Sequence, residues 1–376
     1  MKRVKQLLSS LAVLAFVACS GDSEEELIGN WVGTETGDFG GVARAYAATF
    51  VIDNKGYVCG GDNGYKVPRR DMWVVTVTKD SYGVSAWSWT NTKDSLGLGK
   101  GRQRAVGFSV NGKGYVGTGW DGDEGVMKDF WEYDPAKSGQ PDAWREIAPL
   151  PGVARYDATA FVLKGEAYVT GGYTKGADKE YLQDLWKFTP PSVAHPDGEW
   201  TEISVTPSKK RGLAVTFVIG DWVYLCTGKN ASGYVSEFQR FNGTRWENLR
   251  PIKSFDEDND YDDEYGQKLL RTNAIGFAMK GSGTTEKGYI TAGSTNTTWE
   301  YEPPVYEGNR LVSGDIWIQR TSFFTRHGAF ALSFPGYSDN NDNLVLIGTG
   351  QSGNYYEDLW VFRPEDENKT NDDLVN

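Results

Sequence analysis

The sequence predicts an all-β protein built as a six-bladed propeller, and three observations predict it. A segment Arg-x-x-Ala-x-x-Phe recurs every 53 to 60 residues, each copy leads into a strand ending in glycine, and no stretch reads as an amphipathic helix. The copies are Arg44/Ala47/Phe50, Arg102/Ala105/Phe108, Arg155/Ala158/Phe161, Arg211/Ala214/Phe217, Arg271/Ala274/Phe277 and Arg326/Ala329, with Leu332 in place of the last phenylalanine. Repeats of this length cannot bury their own apolar face, so they must stack on neighbours. The 46 glycines, with 14 Trp, 20 Tyr and 17 Phe residues, suit many short strands joined by tight turns. No linker-like break in composition separates the copies, so residues 27–364 are expected to form one domain.

The amino terminus is a different object. Lys2, Arg3 and Lys5 precede an apolar run from Leu7 to Ala18, the pattern of an export signal and too short to span a bilayer. Phe16-Val17-Ala18-Cys19 resembles the bacterial lipoprotein cleavage box, with phenylalanine where leucine is usual, and that resemblance implies acylation of Cys19. Ordinary cleavage after Ser20 is the alternative. Residues 1–18 are thus read as a signal peptide, 19–26 as a lipidated acidic tether and 365–376 as a polar tail. The expected location is the cell envelope, as an outer-membrane lipoprotein on its periplasmic or cell-surface face, with the membrane reached through the lipid alone. Removing residues 1–18, which carry three basic and no acidic side chains, takes the formal net charge from -12 to -15. So acidic a body is a poor partner for nucleic acid.

Each copy continues alike. A tyrosine stands four residues before the glycine, at Tyr57, Tyr115, Tyr168, Tyr224 and Tyr289, with Leu346 in the sixth. The glycines are Gly61, Gly119, Gly172, Gly228, Gly293 and Gly350. A third strand follows with Trp73, Trp131, Trp186, Phe238, Trp299 or Trp360, and in four copies an aspartate stands two residues earlier, at Asp71, Asp129, Asp184 and Asp358. Fourth strands carry Trp87 or Trp89, Trp144, Trp200, Trp246 and Trp317. The sixth copy has no fourth strand of its own, so the segment from Ile28 to Thr36, with Trp31, is expected to complete it and close the ring. In blade five, the insertion from Gly281 to Gly288 and the long outer loop from Glu302 to Asp315 predict irregular pairing. Cys59 and Cys226 fall in opposite blades, beyond disulfide reach, and are expected as two buried free thiols.

The glycine doublets at 60–61 and 171–172, with Tyr and Trp at fixed offsets, resemble the Kelch repeat; elsewhere the doublet reads Gly-Thr-Gly, Cys-Thr-Gly or Thr-Ala-Gly. That resemblance covers nearly the whole mature chain. It implies a six-bladed Kelch propeller of the galactose-oxidase-like class, and says little of function.

Because the arginines precede the innermost strands, Arg44, Arg102, Arg155, Arg211, Arg271 and Arg326 are expected to encircle one mouth of the channel. Two readings stay open for them: an anion trap suited to carboxylates, or a job every blade must do, such as bonding loop carbonyls. Tyr65, Trp120, Tyr173, Tyr181, Tyr234, Tyr355 and Tyr356 lie on loops of that face, with Trp120 and Tyr173 at one offset in adjacent blades, where they form a sugar platform or pack over blade tops. His327, beside Arg326, is the histidine placed for acid-base work, or a solvated loop residue. With His195 the only other histidine and no paired cysteines, no metal centre or cofactor is expected. The acidic loop from Asp256 to Glu264 departs from a calcium loop at Tyr261 and Gln267 and reads as a solvated charge run.

The leading functional expectation is a lipid-anchored binding module for an anionic glycan or acidic peptide. The enzyme alternative, implied by likeness to the N-acetylneuraminate epimerases, is a sugar mutarotase, which needs an acid-base pair and an arginine for the carboxylate. A structural subunit of an envelope complex is the third reading, and it predicts an apolar or charged patch away from the channel.

Overall fold

The structure, a computed structural model, describes residues 27–366 apart from 34–37, 66, 80–84, 93, 95–99, 124, 176–179, 254–264, 281–284 and 338–342. The expected signal peptide, Cys19 and the whole of the expected tether, the acidic loop from Asp256 to Glu264 and residues 367–376 lie outside the described residues. No described helix is long and apolar enough to cross a membrane.

Six antiparallel four-stranded sheets form the propeller, and each Arg-x-x-Ala-x-x-Phe segment opens an innermost strand. Blade one runs Ala48–Ile52, Lys55–Cys59, Met72–Lys79, Ser85–Asn91, and the next four repeat that order. The innermost strands alternate buried and half-buried positions because one side chain set enters the blade and the other meets the neighbouring blade. The motif phenylalanine lies directly across from the motif tyrosine and stacks on it: Phe50 on Tyr57 at 4.7 Å, Phe108 on Tyr115 at 5.3 Å, Phe217 on Tyr224 at 5.3 Å. In blade six the same pair is Leu332 against Leu346, so the two replacements noted in the sequence are one substitution of a contact.

The ring closes as expected. Asn30–Gly33 pairs antiparallel with Leu359–Arg363, in the register Trp31 to Phe362, and becomes the fourth strand of blade six. Trp31 is fully buried, packs in a tilted arrangement at 4.2 Å from Phe323 and 4.6 Å from Phe362, and donates Nε1–H to Thr321 O at 3.0 Å. An indole so enclosed stabilises the junction by about 3–5 kcal/mol relative to alanine.

Blade five is more regular than the sequence suggests. Ile275–Lys280, Glu286–Thr291, Thr298–Glu302 and Ile316–Arg320 pair in order, and among the described residues the irregularity lies in the outer loop, where Val305–Glu307 and Arg310–Ser313 form a small hairpin with a register shift. Cys59 and Cys226 are free and buried.

Two rings of backbone bonds stitch the blades together. Each strand-ending glycine donates its N–H to the carbonyl of the next blade's arginine, from Gly61 to Arg102 at 2.8 Å round to Gly350 to Arg44 at 2.6 Å. These glycines have φ between +80° and +100°, and a Cβ there would lie 2.5–2.9 Å from neighbouring atoms, in most blades the carbonyl after the arginine, so no other residue fits. The second ring runs through the residue two after each arginine, Tyr46, Arg104, Asp157, Leu213, Asn273 and Gly328, all left-handed. There Arg104 N donates to Tyr46 O, Asp157 N to Arg104 O, Leu213 N to Asp157 O, Gly328 N to Asn273 O and Tyr46 N to Gly328 O, at 2.8–3.2 Å.

Candidate functional site

The six motif arginines encircle the axis as expected, but they are buried and bonded within their own blades. None is more than 3% exposed. Arg44 holds Asp71 two-handed at 2.8 and 2.9 Å, Arg102 holds Asp129, Arg155 holds Asp184 and Arg326 holds Asp358 in the same way, and Nη1 of each also donates to the carbonyl preceding the strand-ending glycine. The third-strand tryptophan completes the staple by donating Nε1–H to the same aspartate, at 2.7–3.0 Å. This explains the Asp-x-Trp spacing, and of the two readings left open the geometry is that of a job every blade must do. A ring of six free cations does not form, because four of the charges are neutralised inside the blade. Burial pushes the Asp71 carboxyl up, but the hydrogen bonds and charge of Arg44, with Arg69 and Trp73, outweigh it and hold the carboxyl at about 2.

Blades four and five lack the aspartate. Arg271 is satisfied by the carbonyls of Lys268, Leu269, Ala292 and Thr297 and by Thr297 Oγ1, and burial brings it down to about 9. Arg211, brought down by burial to about 10, donates only through Nη1, to Thr227 O and Glu237 O.

What faces the mouth is the left-handed ring, and its side chains differ from blade to blade. Arg104 lies between blades one and three: Nη1 donates to both carboxylate oxygens of Asp157 at 3.0 and 3.2 Å, and the guanidinium carbon sits 3.8 Å from the Tyr46 ring centroid. Its side chain is 21% exposed, so, unlike the six motif arginines, it is open to a ligand. Burial pushes the Asp157 carboxyl up, and the opposing influence of Arg104 and Lys229 does not cancel it. Burial and then the Arg104 charge bring the His327 imidazole below its ordinary value. Nδ1 of His327 and Oδ1 of Asn273 are buried without a partner at this mouth. Gln351 pairs with His327 and donates to the Tyr46 hydroxyl at 3.4 Å.

A third layer lies above, where in five of the six blades the residue after the arginine bridges the residue after the glycine. Gln103 pairs with Trp120 and Tyr156 with Tyr173. Tyr156 links the two aromatics that share an offset, 6.0 Å from Trp120 and 5.6 Å from Tyr173, and Tyr181 extends the run at 4.9 Å. The structure therefore brings Trp120, Tyr173 and Tyr181 together beside Arg104 and Asp157. It places His327 across the ring and leaves Tyr65 and Tyr234 exposed, 75% and 55%, away from the cluster. Tyr355 bonds Asp62, and Tyr356 covers Arg326 at 4.3 Å. Among the described residues no group of three His, Cys, Asp or Glu side chains could hold a metal ion.

Sequence reasoning missed Tyr46, Arg104 and Asp157. The signal was the third position of the repeat, which varies in identity between an arginine and an alanine that do not.

Comparisons with known proteins point the same way as the fold. Two strains of Haemophilus influenzae have an N-acetylneuraminate epimerase that is 30% identical over 164 residues, 42% of this chain and 39% of that protein. The N-acetylneuraminate epimerase of Pasteurella multocida is 26% identical over 145 residues, 38% of this chain and 35% of that protein. No protein-family profile matches the chain. The repeat architecture is that of a six-bladed Kelch-type propeller. Each match spans less than half of the curated relative, and of this propeller.

Proposed function

We propose that this Kelch-type propeller is a binding protein that takes an anionic sugar at the channel mouth. Arg104 receives the ligand's carboxylate on the guanidinium edge that Asp157 does not engage, and the Trp120, Tyr156 and Tyr173 run flanks the sugar ring. The observation that carries this reading is the exposure of Arg104: the six motif arginines are buried, while Arg104 is held in place by Asp157 and Tyr46 with Nε and Nη2 outside that pair. A pre-positioned fork beside aromatic faces is the chemistry of sugar-acid recognition. The charged and apolar run ahead of Cys19 supports an envelope location through a lipid anchor, without a nucleic-acid partner. Saturation-transfer NMR with N-acetylneuraminate tests the site: transfer to the sugar is expected with the wild type and lost with Arg104→Ala. Binding that survives Arg104→Ala would remove this reading.

A second reading, anomer exchange, is favoured by one observation. Asp157, pushed toward its protonated form, and His327, pushed toward its neutral form, lie on opposite sides of the same mouth, where a sugar bound between them would meet an acid and a base. The relatives named N-acetylneuraminate epimerase support it. Exchange NMR between the two anomers distinguishes turnover, sensitive to Asp157→Asn and His327→Ala, from binding alone. The structural-subunit reading would draw on the outer hairpin of blade five, which exposes Val305, Tyr306, Leu311 and Val312.

A further inference from the structure

Blade four presents a second cation at the mouth. Its strand-ending glycine is followed by Lys229, and Lys229–Asn230 pairs with Gly233–Tyr234 as a tight hairpin in the register Lys229 to Tyr234. Directly opposed residues of an antiparallel pair put their side chains on one face, so the ammonium and the Tyr234 ring stand together. Tyr234 is 55% exposed, Lys229 is exposed, and among the described residues Lys229 forms no ion pair. Other lysines of this rim are engaged: Lys100 holds Asp121 at 3.2 Å and Lys210 holds Glu180 at 2.6 Å.

The hairpin is tied to the site already described. Lys229 exchanges both backbone hydrogen bonds with Gly212 at 3.0 Å, and the Tyr181 ring that ends the aromatic run lies over Gly212, where a Cβ would meet it at 3.3 Å. The next residue, Leu213, donates its N–H to Asp157 O at 3.0 Å, and the Lys229 charge reaches the Asp157 carboxyl, where it opposes the effect of burial. Around the mouth the order is therefore Arg104, Asp157, Lys229, with Tyr46 beside the first cation and Tyr234 beside the second. An anion midway would face Asp157, so the two cations suit two anionic groups held apart rather than one. We propose that the ligand is an oligosaccharide with at least two sugar-acid residues, one carboxylate held by Arg104 and the next by Lys229, with the second sugar ring against Tyr234. This rests on the Arg104 reading of the mouth and adds to it a second subsite and the length of the ligand.

The test is calorimetric titration, at low ionic strength, with N-acetylneuraminate and with its α2,8-linked dimer, both of which keep a free anomeric carbon. The wild type is expected to bind the dimer about tenfold more tightly, from one exposed ion pair and one ring contact together. Lys229→Ala and Tyr234→Ala, changes to two exposed side chains outside the core, are each expected to bring the ratio of the two affinities toward one, and Lys229→Arg to keep it. Equal affinities in the wild type, or a preference for the dimer that survives either alanine substitution, overturn this proposal and leave the Arg104 reading standing. Monomer binding that persists in Arg104→Ala, or a wild type that binds neither sugar, overturns the Arg104 reading and this proposal with it.

Discussion

Replacing Asp71 by asparagine removes the counter-charge of Arg44 while keeping the side chain's shape. The carboxylate accepts Arg44 Nη1 at 2.8 Å, Arg44 Nη2 at 2.9 Å, Trp73 Nε1 at 3.0 Å and Arg69 Nη2 at 3.3 Å, and is 19% exposed. A carboxyl held at about 2 against an ordinary 3.8 contributes about 2 kcal/mol at neutral pH. Stranding the fully buried Arg44 adds to this, so Asp71→Asn is expected to cost about 3 kcal/mol. Because the folded-state value is lowered, the stabilisation is full above the unfolded value and is lost as pH falls toward 2. About 1 kcal/mol of it is gone by pH 3. Urea unfolding followed by tryptophan fluorescence, at pH 7 and pH 3, measures the gap between wild type and variant. A gap below about 0.5 kcal/mol at pH 7, the level of an ordinary surface change, or one that does not narrow at pH 3, would refute the staple as an electrostatic device.

Trp31→Ala is expected to lower stability by about 3–5 kcal/mol and to free the closing strand first, seen as early hydrogen exchange of the Val32 and Gly33 amides before the inner strands. At the mouth, Asp157 has a raised folded-state value, so it protonates as pH falls and releases Arg104 from its internal pair; affinity for a carboxylate ligand is expected to rise several-fold from pH 8 to pH 5, and Asp157→Asn to flatten that profile when titrated calorimetrically. Protonation of His327 adds to the same trend at the lower end, since its value is depressed. Burial pushes the Cys59 thiol up and brings Cys226 to about 12, so neither is expected to react with a maleimide at pH 8 until the protein is unfolded in urea.

The architecture was legible because the residues that repeat are the ones that make the ring. The glycine is forced by its backbone angle and the carbonyl it faces, the phenylalanine and tyrosine are partners across two strands, and Trp31 fills the fourth-strand place that the sixth copy lacks. The same logic misdirects a search for the site. An arginine found in every blade looks like a converging positive field, but in blade one its charge is neutralised by the aspartate 27 residues later, whose pairing with it is set by strand register. The ligand chemistry proposed above draws instead on Tyr46, Arg104 and Asp157, where the repeat stops repeating, and their proximity comes from the packing of consecutive blades rather than from spacing along the chain. Blade five shows the limit of counting residues: its outer loop is long, yet the insertion leaves as a separate hairpin and the four strands keep their register.

A crystal structure of the protein soaked with N-acetylneuraminate tests the central claim most directly. The account predicts the sugar at the channel mouth with its carboxylate on Nε and Nη2 of Arg104 and its ring beside Tyr156. Density for the sugar elsewhere on the propeller, or a mouth that stays empty at saturating sugar, would contradict it.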